Sequence, residues 1–356
     1  MDNEIKKLQA MLQADPSNFQ VRRKLAILLS QKGFNEEALS NLQYLQKYFP
    51  EDAEIYYNLG ILYEKLKDLK NAEKSYTKAL EISPQEDFYY NLGEVLVELK
   101  QWDKAIEKFK KVLETSPNDS NSFFNIGICY LNKEEINNAL DNFQKTINLN
   151  PQDLYAHFYL GNIYQNQGLT NFAVESYNKV LEISPDYSWA YFNLASIAFK
   201  NENYDEAKEY LLKTIEYNNF DIEAYKLLTK ILVKQKEYEE IITILSTRLE
   251  KEENGDLYYI LSRVYKQIGD IDSYKKYLQF ALENFLSLTF DKKIIQQEYT
   301  RIDSLIENDN YEEEVEEYPE FEEDDEKTEE IPEVESLKSE GFDPEDFEIE
   351  EEIEEL

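Results

Sequence analysis

The chain carries one histidine, His157, and one cysteine, Cys129, in 356 residues. An internal disulfide and a metal site with a second thiol are therefore short of partners, and no nucleophile with a tuned acid or base stands in a recognisable catalytic spacing. His157 stands on an apolar helical face, where packing is expected rather than catalysis. No catalytic residue, metal ligand set or cofactor loop is expected. The residues whose spacing does suit chemistry are suited to recognition. Lys226, Lys230 and Lys234 stand at i, i+4 and i+8, which puts three cations on one face of a helix; Arg263 and Lys266 follow. Rings and amides recur in pairs: Tyr57–Asn58, Tyr90–Asn91, Phe124–Asn125 and Phe192–Asn193, with Phe158–Tyr159 between them. Carboxamides both donate to and accept from a main chain, while rings take up side chains.

The elements that hold these residues follow from a fixed period. Pro16, Pro50, Pro84, Pro117, Pro151 and Pro185 are spaced by 34, 34, 33, 34 and 34 residues. With each proline numbered as position 32, position 8 is Gly60, Gly93, Gly127 and Gly161, flanked by Ala26 and Ala195. Position 20 is Ala38, Ala72, Ala105, Ala139, Ala173 and Ala207, and position 24 is Leu42, Tyr76, Phe109, Phe143, Tyr177 and Leu211. Positions 4, 7, 8 and 11 mark one helix face, and positions 20, 24 and 27 mark a second. A small residue at 8, read as facing the alanine at 20, allows two backbones to approach. Proline then forces a new start, and no unit can bury its stripe alone.

Tyr56, Leu59, Gly60, Tyr63, Ala72, Tyr76, Ala79 and Pro84 resemble the tetratricopeptide repeat, whose pattern runs Trp-x2-Leu-Gly-x2-Tyr, Ala-x3-Phe and Pro over 34 residues. The resemblance covers roughly residues 19 to 285. It implies an all-α fold: a right-handed superhelical solenoid of about eight helix pairs. The expected organisation is an N-terminal capping helix in 1–18, six regular repeats in 19–221, two degenerate repeats in 222–288, a polar capping helix in 289–307 and an acidic tail in 308–356. In the degenerate pair Ile241 replaces the small residue, and alanine and proline are lost.

The resemblance also implies that positions 2, 5, 6, 9, 12 and 13 line a concave surface. Arg23, Tyr57, Tyr90, Phe124, Phe158, Phe192 and Lys226 stand at position 5, and Asn58, Asn91, Asn125 and Asn193 at position 6. Asn162, Lys230, Lys234 and Arg263 complete the candidate groove, which is expected to hold an extended segment of a partner protein. Packing within the repeat is the competing explanation for the same rings and amides. The carboxylate-clamp subclass looks for Lys at 5 and Asn at 9 in one unit; Phe158 precedes Asn162, which does not match it.

Charge is unevenly placed. The net charge is −36, and residues 309–356 hold 26 acidic residues against Lys327 and Lys338. Such a chain repels a phosphate backbone, so nucleic acid is not an expected partner. No apolar run suits a membrane span, and residues 1–12 lack the apolar stretch of a secretory signal; a cytoplasmic protein is expected. The tail is too charged to collapse and is expected to be disordered. Its last residues differ: Asp343 is a good N-cap, Pro344 suits the first helical position, and Phe342 and Phe347 have staple spacing. Ile349, Ile353 and Leu356 fall on one face. That helix would dock on a basic surface, either the protein's own Lys226, Lys230, Lys234 and Arg263 or a basic partner. Three roles are open at this point: a non-catalytic adaptor, a self-inhibited switch, and an acidic chaperone-like binder of a basic protein.

Overall fold

The structure, a computed structural model, describes residues 3–307, with side chains to Ile302. The described residues form eighteen α-helices and one 3-10 turn, in two compact units divided between Ile183 and Ser184. The boundary falls between the helix pairs that end at Ile183 and begin at Ser188. The tail, with Phe342, Phe347, Ile349, Ile353 and Leu356, lies outside the described residues.

In the first unit α1 (Asn3–Ala14) precedes five hairpins: α2 (Phe19–Gln31) with α3 (Asn35–Tyr48), α4 (Ala53–Lys65) with α5 (Leu69–Ile82), α6 (Glu86–Glu98) with α7 (Trp102–Thr115), α8 (Ser120–Asn132) with α9 (Ile136–Leu149), and α10 (Leu154–Asn166) with α11 (Thr170–Ile183). The second unit holds α12 (Ser188–Lys200) with α13 (Tyr204–Tyr217), α14 (Ile222–Gln235) with α15 (Tyr238–Lys251), α16 (Gly255–Ile268) with α17 (Ile271–Glu283), and then α18 (Lys292–Glu307). Each hairpin packs on the next within its unit.

Local chemistry sets the helix ends. Several first helices open on an acidic N-cap: Asp119 accepts from the Ser122 amide at 2.8 Å, Asp153 from Ala156 at 2.9 Å, and Asp221 from Ala224 at 3.0 Å. Such caps satisfy amides that have no partner in the first turn. The turn inside each hairpin always reverses through a left-handed residue at position 15: Gly33, Lys67, Lys100, Glu134, Gly168, Glu202, Lys236 and Gly269. The following amide reaches back across the turn, as from Gln101 to the Leu96 carbonyl at 2.8 Å, closing a Schellman motif.

The core differs from the sequence reading at the repeat glycines. A Cβ on Gly60 would come within 2.5 Å of the Tyr76 ring, on Gly93 within 2.7 Å of Phe109, on Gly127 within 2.8 Å of Phe143, and on Gly161 within 2.6 Å of Tyr177. The nearest neighbour of the glycine is thus the ring at position 24, not the alanine at position 20. Where position 8 carries a side chain, position 24 is Leu: Ala26 with Leu42, Ala195 with Leu211, Thr229 with Leu245, and Ser262 with Leu278. Volume moves from one helix to its partner and the total filled space is kept.

The helix expected to be a polar cap is amphipathic. In α18, Ile295 and Ile302 are buried against Tyr274 and Leu278. The segment leading to it is pinned to the start of α16: Asp256, 1% exposed, accepts from the Thr289 amide at 2.7 Å and the Thr289 hydroxyl at 2.9 Å.

Candidate recognition surface

In the first unit each ring at position 5 covers the ring at position 24 of its own repeat. Centroid distances are 5.7 Å for Tyr57–Tyr76, 5.6 Å for Tyr90–Phe109, 5.6 Å for Phe124–Phe143 and 6.0 Å for Phe158–Tyr177. A glycine, an inner ring and an outer ring therefore form three layers. This explains why aromatic residues stand side by side in Tyr89–Tyr90: Tyr90 closes the layer over Phe109.

The amides belong to the same construction. Asn91 donates to the Tyr57 hydroxyl of the preceding repeat at 3.0 Å, and Asn125 donates to Tyr90 at 3.1 Å. Phe124 offers no hydroxyl, and the next repeat places Tyr159 there, ring to ring at 5.9 Å. Burial, and after it the Asp87 carboxylate, raises the Tyr57 phenol; burial, and after it Glu94, raises Tyr90. Both phenols stay protonated, and both accept an amide proton from the next repeat.

The other candidates are placed unequally. Asn58 donates to the Glu54 carbonyl at 2.7 Å within its own helix. Arg23 pairs with Asp52 and Glu54. Burial pushes the Asp52 carboxyl up, but Arg23 and the Ile55 and Glu54 amides outweigh it and hold the group below its ordinary value. Tyr57, Asn58, Tyr90, Asn91, Phe124 and Asn125 are half-buried. Phe158 at 0% and Asn162 at 8%, with Phe192 at 5% and Asn193 at 7%, are buried rather than open. The Tyr177 hydroxyl lies 2.7 Å from the Asn162 side-chain oxygen.

In the second unit the cations lie on rings. Lys226 Nζ sits 4.5 Å from the Phe290 centroid, Lys230 Nζ 5.4 Å from Phe199, and Lys234 Nζ 4.7 Å from Tyr204. Lys226 also pairs with Glu223 at 2.7 Å, and Lys234 donates to the Tyr204 hydroxyl at 2.6 Å. Among the described residues no carboxylate lies in ion-pair range of Lys230. Arg263 and Lys266 both meet Glu298 of α18, at 2.8 and 3.4 Å. Burial, then the neighbouring Arg263, lowers the Lys266 ammonium, although Glu298 works against them. Phe290 and Glu298 carry no sequence signal, because both lie beyond the last repeat. The placement of Phe290 depends on Asp256, which ties down Thr289 and so sets Phe290 against Tyr259 at 4.7 Å; Glu298 is carried by α18, whose Ile295 and Ile302 pack on Tyr274 and Leu278.

Models of the tetratricopeptide repeat match residues 53–86, 86–119, 120–153 and 170–231. The chain is a tetratricopeptide repeat protein. Solved structures similar to this tetratricopeptide repeat protein include MamA residues 41 to the end from Desulfovibrio magneticus RS-1, 25% identical over 48% of this chain and 97% of that one, with a TM-score of 0.46. YrrB, described as a TPR protein with an unusual peptide-binding site, is 27% identical over 51% and 95%, with a TM-score of 0.44. Pseudomonas aeruginosa pilF is 20% identical over 56% and 92%, with a TM-score of 0.49. No curated protein gives a significant match.

The one histidine and the one cysteine of this repeat protein are both taken up in packing. The His157 ring nitrogen lies 3.1 Å from the Pro151 carbonyl. Cys129, in α8, is fully buried, and burial pushes its thiol up to about 12. Among the described residues no group of three or more His, Cys, Asp and Glu side chains could hold a metal, and no helix is long and apolar enough to cross a membrane.

Proposed function

We propose that the protein is a non-catalytic scaffold that holds an extended segment of another protein against the first-helix face of its repeats. The observation that carries this reading is the half-buried row Tyr57, Asn58, Tyr90, Asn91, Phe124 and Asn125, in which bonds from Asn91 to Tyr57 and from Asn125 to Tyr90 fix two rings and two amides before a ligand arrives. Groups held in advance lose less freedom on binding. Membership of the repeat family supports the same reading.

The two roles of the asparagines are separable. Tyr57→Phe removes the bond to Asn91 but keeps the amide; Asn91→Ala removes both. After partners are isolated from full-length protein by pull-down and mass spectrometry, affinity is measured for both variants. If the amides hold the ligand, Asn91→Ala weakens binding by about 1 kcal/mol or more beyond Tyr57→Phe, the worth of roughly one hydrogen bond. Equal affinities for the two variants would leave Asn91 a structural residue only. The reading would be overturned by lining variants that spare all binding while substitution of the exposed Phe172 on α11 abolishes it.

The acidic tail supports two further readings, a switch that occupies its own basic surface and a shield for a basic protein. Deleting residues 309–356 separates the three: partner affinity changes little for the scaffold, rises for the switch and collapses for the shield.

A further inference from the structure

We infer that the α14 cation row is a docking site for an acidic amphipathic helix, and that its occupant is the chain's own residues 342–356. This deepens the switch reading by naming surface and register. Lys226, Lys230 and Lys234 advance by about 6 Å per step, since a helix rises about 1.5 Å per residue. Asp346, Glu350 and Glu354 have the same i, i+4, i+8 spacing, so two helices laid side by side bring three carboxylates to three ammoniums. Ile349, Ile353 and Leu356 fall on the adjoining face of the same segment, where they meet the apolar floor that Phe199, Tyr204 and Phe290 lay under the lysines. Lys230, which rests on Phe199 with no described carboxylate in range, is the centre of this register.

The chain leaves the described residues at the end of α18, which packs on α17 and reaches α16 through Glu298. Packed helices lie about 10 Å apart, so α14, which touches α16, is about 20 Å from α18. The sequence puts 34 residues, 308–341, before the segment, and a linker of that length has a root-mean-square reach of roughly 30 Å. Docking within the same chain is thus within reach, at an effective concentration on the order of millimolar. Arg22, Arg23 and Lys24, the other basic cluster, are consecutive and lack the i, i+4, i+8 spacing that matches Asp346, Glu350 and Glu354. An isolated helix of this length is marginal in water, so the helix forms as it docks.

Disulfide trapping in the full-length protein tests the contact without any partner. Lys230→Cys is combined with Glu350→Cys, and a control combines Glu37→Cys on α3 with Glu350→Cys; the buried Cys129 takes no part. The expected result is a monomeric cross-link that forms at least about tenfold faster in the Lys230 pair than in the control, as local concentration requires. Adding Lys226→Glu and Lys234→Glu should abolish that advantage, and Asp346→Lys with Glu354→Lys in the same chain should restore it. Equal rates in the two pairs, or no loss on charge reversal, would overturn the proposal. Trapping that succeeds while lining variants spare partner binding would leave this contact standing and remove the scaffold reading instead.

Discussion

At the residue scale, the pair at positions 8 and 24 behaves as one unit of volume. Gly93→Ala would drive a methyl group to 2.7 Å from the Phe109 ring, and overpacking of this kind costs about 1–3 kcal/mol. The double change Gly93→Ala with Phe109→Leu reproduces Ala26–Leu42 and Ala195–Leu211, so denaturant unfolding should show the second substitution recovering most of what the first loses. The glycines and the rings were each legible as a pattern; that they answer one another was present in the same sequence but emerged only when the contact was seen. The asparagines show why part of the candidate surface was not legible. An amide at position 6 looks like a groove residue in either role, and only the 3.0 Å bond from Asn91 to Tyr57 shows that its donor serves the neighbouring repeat. Asp52 supplies a pH signature. Its carboxyl is held low in the folded protein, so its contribution to stability is complete above the ordinary carboxylate pKa of about 3.9 and is lost as pH falls through the lower folded value. Asp52→Asn should therefore lower the melting temperature at pH 7, with the difference from the parent closing below about pH 4.

At the element scale, helix pairs and their spacing were readable because proline, alanine and the apolar period all mark the same joints. The hairpin turn was not. Five of its eight left-handed residues are Lys or Glu, Lys67, Lys100, Glu134, Glu202 and Lys236, and neither type signals φ > 0. The conformation is imposed by the closing bonds of the turn, and a residue with a Cβ pays about 1 kcal/mol for it. Lys100→Gly should accordingly stabilise the protein by about 0.5–1 kcal/mol in a thermal melt, and Gly168→Ala should destabilise it by a similar amount. The last helix was expected to be polar, yet α18 buries Ile295 and Ile302 and contributes Glu298 to two cations of α16. With no repeat beyond it, nothing in the period announces which of its faces turns inward.

At the scale of the molecule, each hairpin touches its neighbours along the chain within its own unit, the arrangement that makes repeat stability a sum of local and nearest-neighbour contributions. Hydrogen exchange should therefore show Gly93→Ala weakening protection in α6 and α7 and the hairpins beside them, while protection in α16 and α17 stays unchanged; a uniform loss would contradict it. The division of charge was the clearest whole-chain reading of the sequence, since 26 acidic residues crowd into the last 48. The surface that could receive them was legible only as three lysines; the rings beneath them come from α12, α13 and the loop before α18, which no single stretch of sequence brings together. The seclusion of Cys129 gives the molecule its own clock. A lone sulfur with no exposed surface and a thiol pushed up to about 12 reacts with an alkylating reagent only when α8 parts from its surroundings, so once reagent is concentrated enough to outpace reclosing, the rate at which unaltered protein takes up the label counts those openings.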